Sequence, residues 1–119
     1  MVGGSTGLNG LGPNNFMGMF QDAGVVTESA IQADMPAAGA LTNLYVRAAG
    51  TMGAGSITYT VRENGTPTPL SCTMTGTQTA CSDTTDSAHF AAGDLISIGS
   101  TRSGTPTSQR TWWTAHYGP

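Results

Sequence analysis

The sequence predicts an all-β fold, an antiparallel β-sandwich or jelly roll of about eight strands with an extended N-terminal arm. Two observations lead to this prediction. Apolar and polar residues alternate over short segments, and turn-forming residues separate those segments at regular intervals. No stretch has a convincing helical pattern. A chain of 119 residues has room for one domain with a single modest core.

The first twenty residues differ in composition from the rest of the chain. They are rich in glycine and asparagine and end in an apolar group, Phe16, Met17, Met19 and Phe20. Ordering such a segment costs about 1–2 kcal/mol per residue, so we expect contacts outside the domain to hold it. The predicted organisation is an arm over residues 1–20, anchored on a neighbouring molecule by those four side chains, and a β domain over residues 21–119.

The predicted strands follow one another with short connections. Alternation in residues 40–48 places Leu44 and Val46 on one face and Tyr45 and Arg47 on the other. Strands are predicted over residues 25–35, 40–48, 56–63, 69–75, 78–83, 87–90, 95–101 and 109–117, with loops over residues 50–55 and 102–108.

Two short turns are predicted between these strands. Asn64-Gly65 is a type I′ hairpin signal, because both central residues of that turn need positive φ. The same asparagine begins the glycosylation sequence Asn-Gly-Thr, but the turn is the simpler interpretation. Gly76-Thr77 suits a type II′ turn, with glycine at its first central position.

The two cysteines are expected to form a disulfide. A two-residue turn at Gly76-Thr77 aligns Cys72 with Cys81 in one hairpin, at a site where opposite Cα atoms lie about 4.5 Å apart. Closing this ring contributes about 2.7 kcal/mol on the chain-entropy estimate. Two buried free thiols or a metal site are the alternatives, and the spacing is not a zinc signature. A disulfide implies an oxidising final environment.

Charge and hydropathy exclude several classes of function. Only 9% of the residues are charged, there is no lysine, and the net charge is −3. Nucleic-acid binding and attachment to anionic membranes both need clustered basic residues, which the chain lacks. No apolar run is long enough to span a bilayer. The N-terminus also lacks the pattern of a secretory signal, so we expect either that the chain is mature as written or that it reaches the outside by another route such as cell lysis.

The sequence contains no recognisable catalytic constellation. His89 and His116 are expected to be packed or surface residues, and the common nucleophile, nucleotide and zinc motifs are missing. Asp83, Asp86 and Asp94 supply too few oxygens for a calcium site by themselves, so solvated turn acids are the preferred interpretation. The sequence therefore predicts no enzyme activity, cofactor or metal.

The C-terminal aromatic residues Trp112, Trp113 and Tyr117 are the candidate contact residues. On a strand, the two tryptophans point to opposite faces, so one belongs to the core and the other is exposed. An exposed tryptophan can anchor an interface or stack on a sugar ring. We favour the interface because interface cores are enriched in aromatic residues.

Three segments of the sequence carry a resemblance to a known domain. They are ALTNLYVRAAG, SITYTVRENGTPTPLSCTMTGTQTACSDTT and FAAGDLISIGSTRSGTPT. They resemble a small β domain of phage and bacterial surface proteins, over about residues 38–107. The Ala-Gly-Asp-Leu motif is also similar to tumour-necrosis-factor-like jelly rolls, a resemblance that implies a homotrimer.

These observations lead to one expected function and two alternatives. We expect a structural virion protein, a decoration or cement protein that stabilises the capsid of a tailed phage. Its partners would be further copies of itself and a major capsid or other structural protein, and its location the virion surface or the extracellular space after lysis. The alternatives are a glycan-binding tail-fibre tip or adhesin module, and a subunit of an extracellular filament.

Overall fold

A computed structural model describes residues 1–9, 14–18, 27–107 and 109–119. A short 3₁₀ turn lies at Glu28–Ala30. The strands are β1 (Val2–Asn9), β2 (Asn14–Met17), β3 (Ala33–Asp34), β4 (Gly39–Ala48), β5 (Gly53–Glu63), β6 (Thr66–Thr75), β7 (Ala80–Phe90), β8 (Leu95–Pro106) and β9 (Gln109–Gly118).

The strands form two antiparallel sheets. The first sheet has the order β1-β9-β4-β7, and the second has the order β2-β8-β5-β6 with β3 added to β8. The pairs are nested, since β1 pairs with β9, β2 with β8, β4 with β7 and β5 with β6. This is the pairing of a long hairpin wound into a jelly roll. The predicted all-β sandwich is therefore confirmed.

The core lies between the inner faces of the two sheets. Buried and exposed residues alternate along β5, β6 and β9, as expected for strands with one solvent-facing side. Trp113 and Tyr59 are the largest buried side chains, and both are no more than 2% exposed. Methionines fill much of the remaining space, including Met17, Met35, Met52 and Met74.

The prediction of a strand over residues 25–35 is wrong for most of its described part. Residues 28–30 form the 3₁₀ turn, and only Ala33 and Asp34 pair with β8. The turn is held over the second sheet because the Glu28 carboxylate accepts hydrogen bonds from Arg62 Nε and Ser97 Oγ, both at 2.6 Å. These contacts are distant in sequence, so local alternation could not indicate them.

The two predicted loops at residues 50–55 and 102–108 are also partly wrong. Gly53 to Gly55 extend β5, and they pair with Gly104 to Pro106 at the end of β8. Gly55 and Gly104 are opposite each other with φ of 104° and 74°. A Cβ on Gly55 would lie 2.2 Å from the Ser103 carbonyl oxygen. Glycine is needed there for this close backbone approach, and the same glycines suggested a loop in the sequence.

Both predicted turns are present. Asn64 and Gly65 have φ of 49° and 80°, as a type I′ turn requires, and they join β5 to β6. At the second turn, Gly76 has φ of 54° and the Gln78 N–H donates to the Thr75 carbonyl oxygen at 2.9 Å. That turn leads from β6 to β7, which belong to different sheets.

The disulfide between Cys72 and Cys81 is confirmed, but its predicted hairpin register is wrong. The two cysteines lie on β6 and β7, the end strands of the second and first sheets, so the bond joins the sheets across the side of the sandwich. Their Cα atoms are 5.7 Å apart. Cys72 instead pairs across its ladder with Tyr59, and Cys81 with Val46.

Candidate functional site

The outer face of the first sheet carries two exposed aromatic side chains. Residues Thr111, Trp113 and Ala115 of β9 point into the core, so Trp112 points outward and is 46% exposed. On the adjacent strand β4, Tyr45 is 53% exposed. Within the described ranges, these are the exposed large hydrophobic residues of the chain.

The two aromatic residues border a shallow groove of about 270 Å³. In the sheet register, Arg47 aligns with Trp112 on one side and with Ala80 on the other. In the next row, Tyr45 aligns with Thr114 and Ser82. We call the residues of these two rows the aromatic face: Tyr45, Arg47, Ala80, Ser82, Trp112 and Thr114.

Arg47 gives the aromatic face a positive charge. The salt bridge among the described residues does not involve Arg47. It joins Arg62, on the second sheet, to Glu28 in the 3₁₀ turn. The remaining positions of the two rows are aliphatic, aromatic or hydroxylated, so no carboxylate stands in the same rows as Arg47. The face therefore combines apolar area with a guanidinium able to bind a carboxylate.

The other two predicted aromatic contact residues have structural partners. Trp113 is 2% exposed, and its Nε1 donates to the Gly18 carbonyl oxygen at 3.2 Å. The Tyr117 hydroxyl donates to the Ala37 carbonyl oxygen, and its ring packs edge-on against Phe90 at 6.4 Å between centroids. Trp112 is thus the solvent-facing member of the predicted group.

The apolar residues of the predicted arm lie against the chain's own domain where they are described. Met17 is 1% exposed in the core, and the Arg62 guanidinium carbon lies 5.3 Å from the centroid of the half-buried Phe16 ring. Met19 and Phe20 lie outside the described residues. We expected Met17 to anchor the arm on a neighbouring molecule. Instead, Met17 packs in the core of its own chain, because this segment forms strands β1 and β2 of the jelly roll. Two predictions stay open: that residues 1–20 form a unit separate from the domain, and that this arm contacts a partner.

The acidic residues are not brought together as a metal site. Asp94 accepts hydrogen bonds from the Ala91 N–H and from Asn64 Nδ2, and these bonds lower the pKa of its carboxyl. Asp83 and Asp86 lie on β7, away from this turn. Asp83 is buried, so the expectation that it is a solvated turn acid is wrong. The described residues contain no group of three metal-ligating side chains.

The histidines are exposed and lie on the first sheet. His116 aligns with Thr42, and His89 Nε2 lies 3.3 Å from Ser87 Oγ. Of the two expected roles, packed or surface, the exposure of both rings fits the surface one.

Comparisons with protein-family models, with curated proteins and with solved structures gave no match to this chain. A search of the described residues for a helix long and apolar enough to cross a bilayer found none.

Proposed function

We propose that this chain is a structural protein that associates with itself and attaches to a larger particle. The most concrete form is a decoration protein on the capsid of a tailed phage, located at the virion surface. The observation that supports the proposal is the aromatic face, where Tyr45 and Trp112 are exposed in neighbouring rows of the same sheet. The phage assignment itself derives from the sequence resemblance.

Physical chemistry favours a protein partner for this face. About half of the Tyr45 and Trp112 side chains is exposed and available for contact, and tyrosine and tryptophan, together with arginine, are the residues most enriched at interface hot spots. A homotrimer interface is heterologous, so the aromatic face of one copy meets a different surface of the next copy. Each copy has seven Asp and Glu residues against four arginines, and that surface can therefore offer Arg47 a carboxylate. We therefore propose self-association through the aromatic face, with the homotrimer implied by the resemblance as the expected state.

The test measures the mass of the purified chain in solution. Sedimentation equilibrium of the wild type should give an oligomer, whereas Trp112→Ala and Tyr45→Ala should shift it towards the monomer by at least about tenfold in dissociation constant. Arg47→Ala should weaken association, and Arg102→Ala, an exposed arginine on the second sheet, is the matched control. A wild type that stays monomeric at high concentration would contradict self-association.

Attachment to a particle needs a separate measurement. The wild type should co-sediment with expanded phage capsids and raise their resistance to heat. The chain has to be tested on capsids of the phage that encodes it. Failure to bind those capsids would contradict the decoration role without affecting the result on self-association.

A glycan-binding tail-fibre tip or adhesin is the second candidate. It is favoured by the polar neighbours of Trp112, since Arg47 and Thr114 line the same groove and can hydrogen-bond to a sugar stacked on the indole. In that case a monomeric wild type would bind a glycan, and Trp112→Ala would abolish the binding. Open-ended association into fibres would instead support the filament alternative.

A further inference from the structure

Two arginines give the outer face of the first sheet its positive charge. Arg110 lies two residues before Trp112 on β9 and therefore points to the same side of the sheet. Arg47 aligns with Trp112 on the neighbouring strand, so it is a diagonal neighbour of Arg110. Both arginines are exposed, and the salt bridge among the described residues involves neither of them. Two guanidiniums thus stand beside the exposed indole, and a partner with carboxylates would complement them.

The described carboxylates differ in whether they can reach a second copy of the chain. The Glu28 carboxylate is already bound to Arg62 and Ser97. Asp83 is 8% exposed and accepts three backbone N–H bonds. Asp86, three residues further along the same strand, is hydrogen-bonded to the Asp83 carboxylate. The carboxylates that remain are those of Asp34, Glu63 and Asp94.

These three carboxylates meet at one end of the second sheet, which we call the acidic end (Asp34, Glu63 and Asp94). Asp34 of β3 and Glu63 of β5 align with the first two residues of β8 from its two sides, and Asp94 comes directly before that strand. Two strand spacings separate the Cα atoms of Asp34 and Glu63, a distance of about 10 Å. Asp34 is exposed, and the other two are half-buried. The nearby Arg62 does not neutralise them, because it pairs with Glu28.

A shallow groove adjoins the acidic end. It has a volume of about 340 Å³ and lies along the turn that joins β5 to β6. Its lining consists of Glu63, Asn64, Thr66, Pro67 and Thr68. The exposed Pro67 ring gives an aromatic side chain an apolar surface to pack on, beside the carboxylate of Glu63. This end of the molecule therefore offers both an anchor position and negative charge.

The aromatic face and the acidic end lie at opposite ends of the sandwich. Arg47 is the last residue but one of β4, and the short connection over residues 49–52 leads into β5, which begins at the same end. Glu63 is the last of the eleven residues of β5. A strand of that length spans about 35 Å, and the longest dimension of the molecule is 39 Å. The two surfaces of one chain therefore cannot touch each other, and both are free to pair with neighbouring copies.

We propose that the aromatic face of one copy, together with Arg110, docks on the acidic end of the next copy. The inference rests on the proposed self-association and identifies the second surface that it uses. The two arginines pair with the carboxylates of the acidic end, and Trp112 packs in the groove at Pro67. Because the two surfaces lie at opposite ends, the contact is head to tail, and such heterologous contacts close into a ring or continue as a filament.

The test uses two charge-reversed variants, first separately and then mixed. Arg47→Glu alters only the aromatic face, and Asp34→Arg alters only the acidic end. Each should weaken the dissociation constant of self-association by at least about tenfold in sedimentation equilibrium, because like charges then meet across the contact. An equal mixture should associate with nearly the wild-type constant, since the intact aromatic face of one variant fits the intact acidic end of the other.

Further variants make the test specific. Glu63→Gln should weaken self-association by about fivefold, the effect of one lost exposed ion pair. Asp86→Asn and Arg102→Glu are the matched controls, because they change exposed charges outside both surfaces, and each should leave the constant within about twofold. Urea denaturation of every variant shows that it is folded.

The outcomes separate this inference from the proposed self-association. A wild-type oligomer that neither Asp34→Arg nor Glu63→Gln weakens would overturn the inference and leave self-association in place. A mixture of the two folded charge-reversed variants that stays monomeric would overturn it as well. A wild type that is itself monomeric would contradict self-association, and the inference would fall with it.

Discussion

At the residue scale, the Asp83 carboxylate connects the two sheets near the disulfide. It accepts backbone N–H bonds from Ser71 on β6 and from Thr85 and Asp86 on its own strand, each at 3.1 Å. Burial alone would raise the pKa of Asp83, but the hydrogen bonds outweigh it and the pKa is lowered. The ionised form of Asp83 therefore stabilises the fold at neutral pH.

Replacing this carboxylate should destabilise the protein. Asp83→Ala leaves backbone N–H groups without their acceptor, and we expect the free energy of unfolding to fall by about 2–3 kcal/mol. Urea denaturation at pH 7 measures the change. Asp34→Ala, an exposed aspartate on β3, is the control and should change stability by less than about 0.5 kcal/mol. An equal effect of both variants would contradict the special role of Asp83.

The stabilisation by Asp83 should depend on pH. A carboxyl whose pKa is lowered by folding contributes stability above its unfolded pKa of about 3.9 and loses it as pH falls through the folded value. The difference in the free energy of unfolding between wild type and Asp83→Ala should thus reach its full size at pH 7 and shrink below about pH 4.

The pKa of Asp86 is shifted in the opposite direction, because its hydrogen bond to Asp83 and the repulsion between the carboxylates raise it. Asp86→Asn should consequently leave stability unchanged or slightly higher at pH 7.

The outward direction of Tyr45 and Arg47 could be predicted from the sequence, because period-two alternation fixes the face of a strand residue. Alternation also separated Trp112 from Trp113. The residues on either side also indicate which tryptophan is exposed, because Trp112 shares its face with Arg110 and His116, whereas Trp113 shares its face with Ala115. The bond from Trp113 Nε1 to the Gly18 carbonyl oxygen, 95 residues away in sequence, had no local signal. The hydrogen bonds from Thr85 and Asp86 to Asp83 are local, but the one from Ser71 comes from a strand of the other sheet, and that packing is what local alternation cannot indicate.

At the scale of strands and turns, the sequence predicted turn chemistry better than strand pairing. The Asn64-Gly65 turn closes a true hairpin between β5 and β6. The Gly76-Thr77 turn has the predicted residues but sends β7 to the other sheet. A turn determines the local direction of the chain, whereas burial of both inner faces decides which partner each strand takes.

The disulfide should matter because it closes the side of the sandwich where β6 and β7 separate into different sheets. Replacing both cysteines, Cys72→Ala with Cys81→Ala, should lower the free energy of unfolding by about 2–3 kcal/mol. Urea denaturation of the wild type with and without a reductant should give a difference of similar size. The double variant serves as the control, since the reductant should not affect it. An unchanged midpoint after complete reduction would show that the strands hold this edge without the bond.

At the scale of the whole molecule, the N-terminal segment completes both sheets. Strand β1 forms the edge of the first sheet beside β9, and β2 forms the edge of the second sheet beside β8. The backbone of Met1 exchanges hydrogen bonds with Ala115, at 2.8 and 2.9 Å. The composition of the segment suggested a linker because glycine is rare in strands, but strand pairing here uses backbone groups, which glycine has like any other residue.

This arrangement predicts that the domain depends on Met17. Met17→Ala removes a buried side chain and should lower the free energy of unfolding by about 2–5 kcal/mol. Met17→Leu is the matched control, because it conserves volume and apolar burial and should cost less than about 1.5 kcal/mol. Deleting residues 1–20 removes Met17 and both edge strands, so urea denaturation should show a loss at least as large as that of Met17→Ala. A truncated chain with the wild-type midpoint would mean that the segment acts outside the domain, as an arm bound to a neighbour, and that the core closes without it.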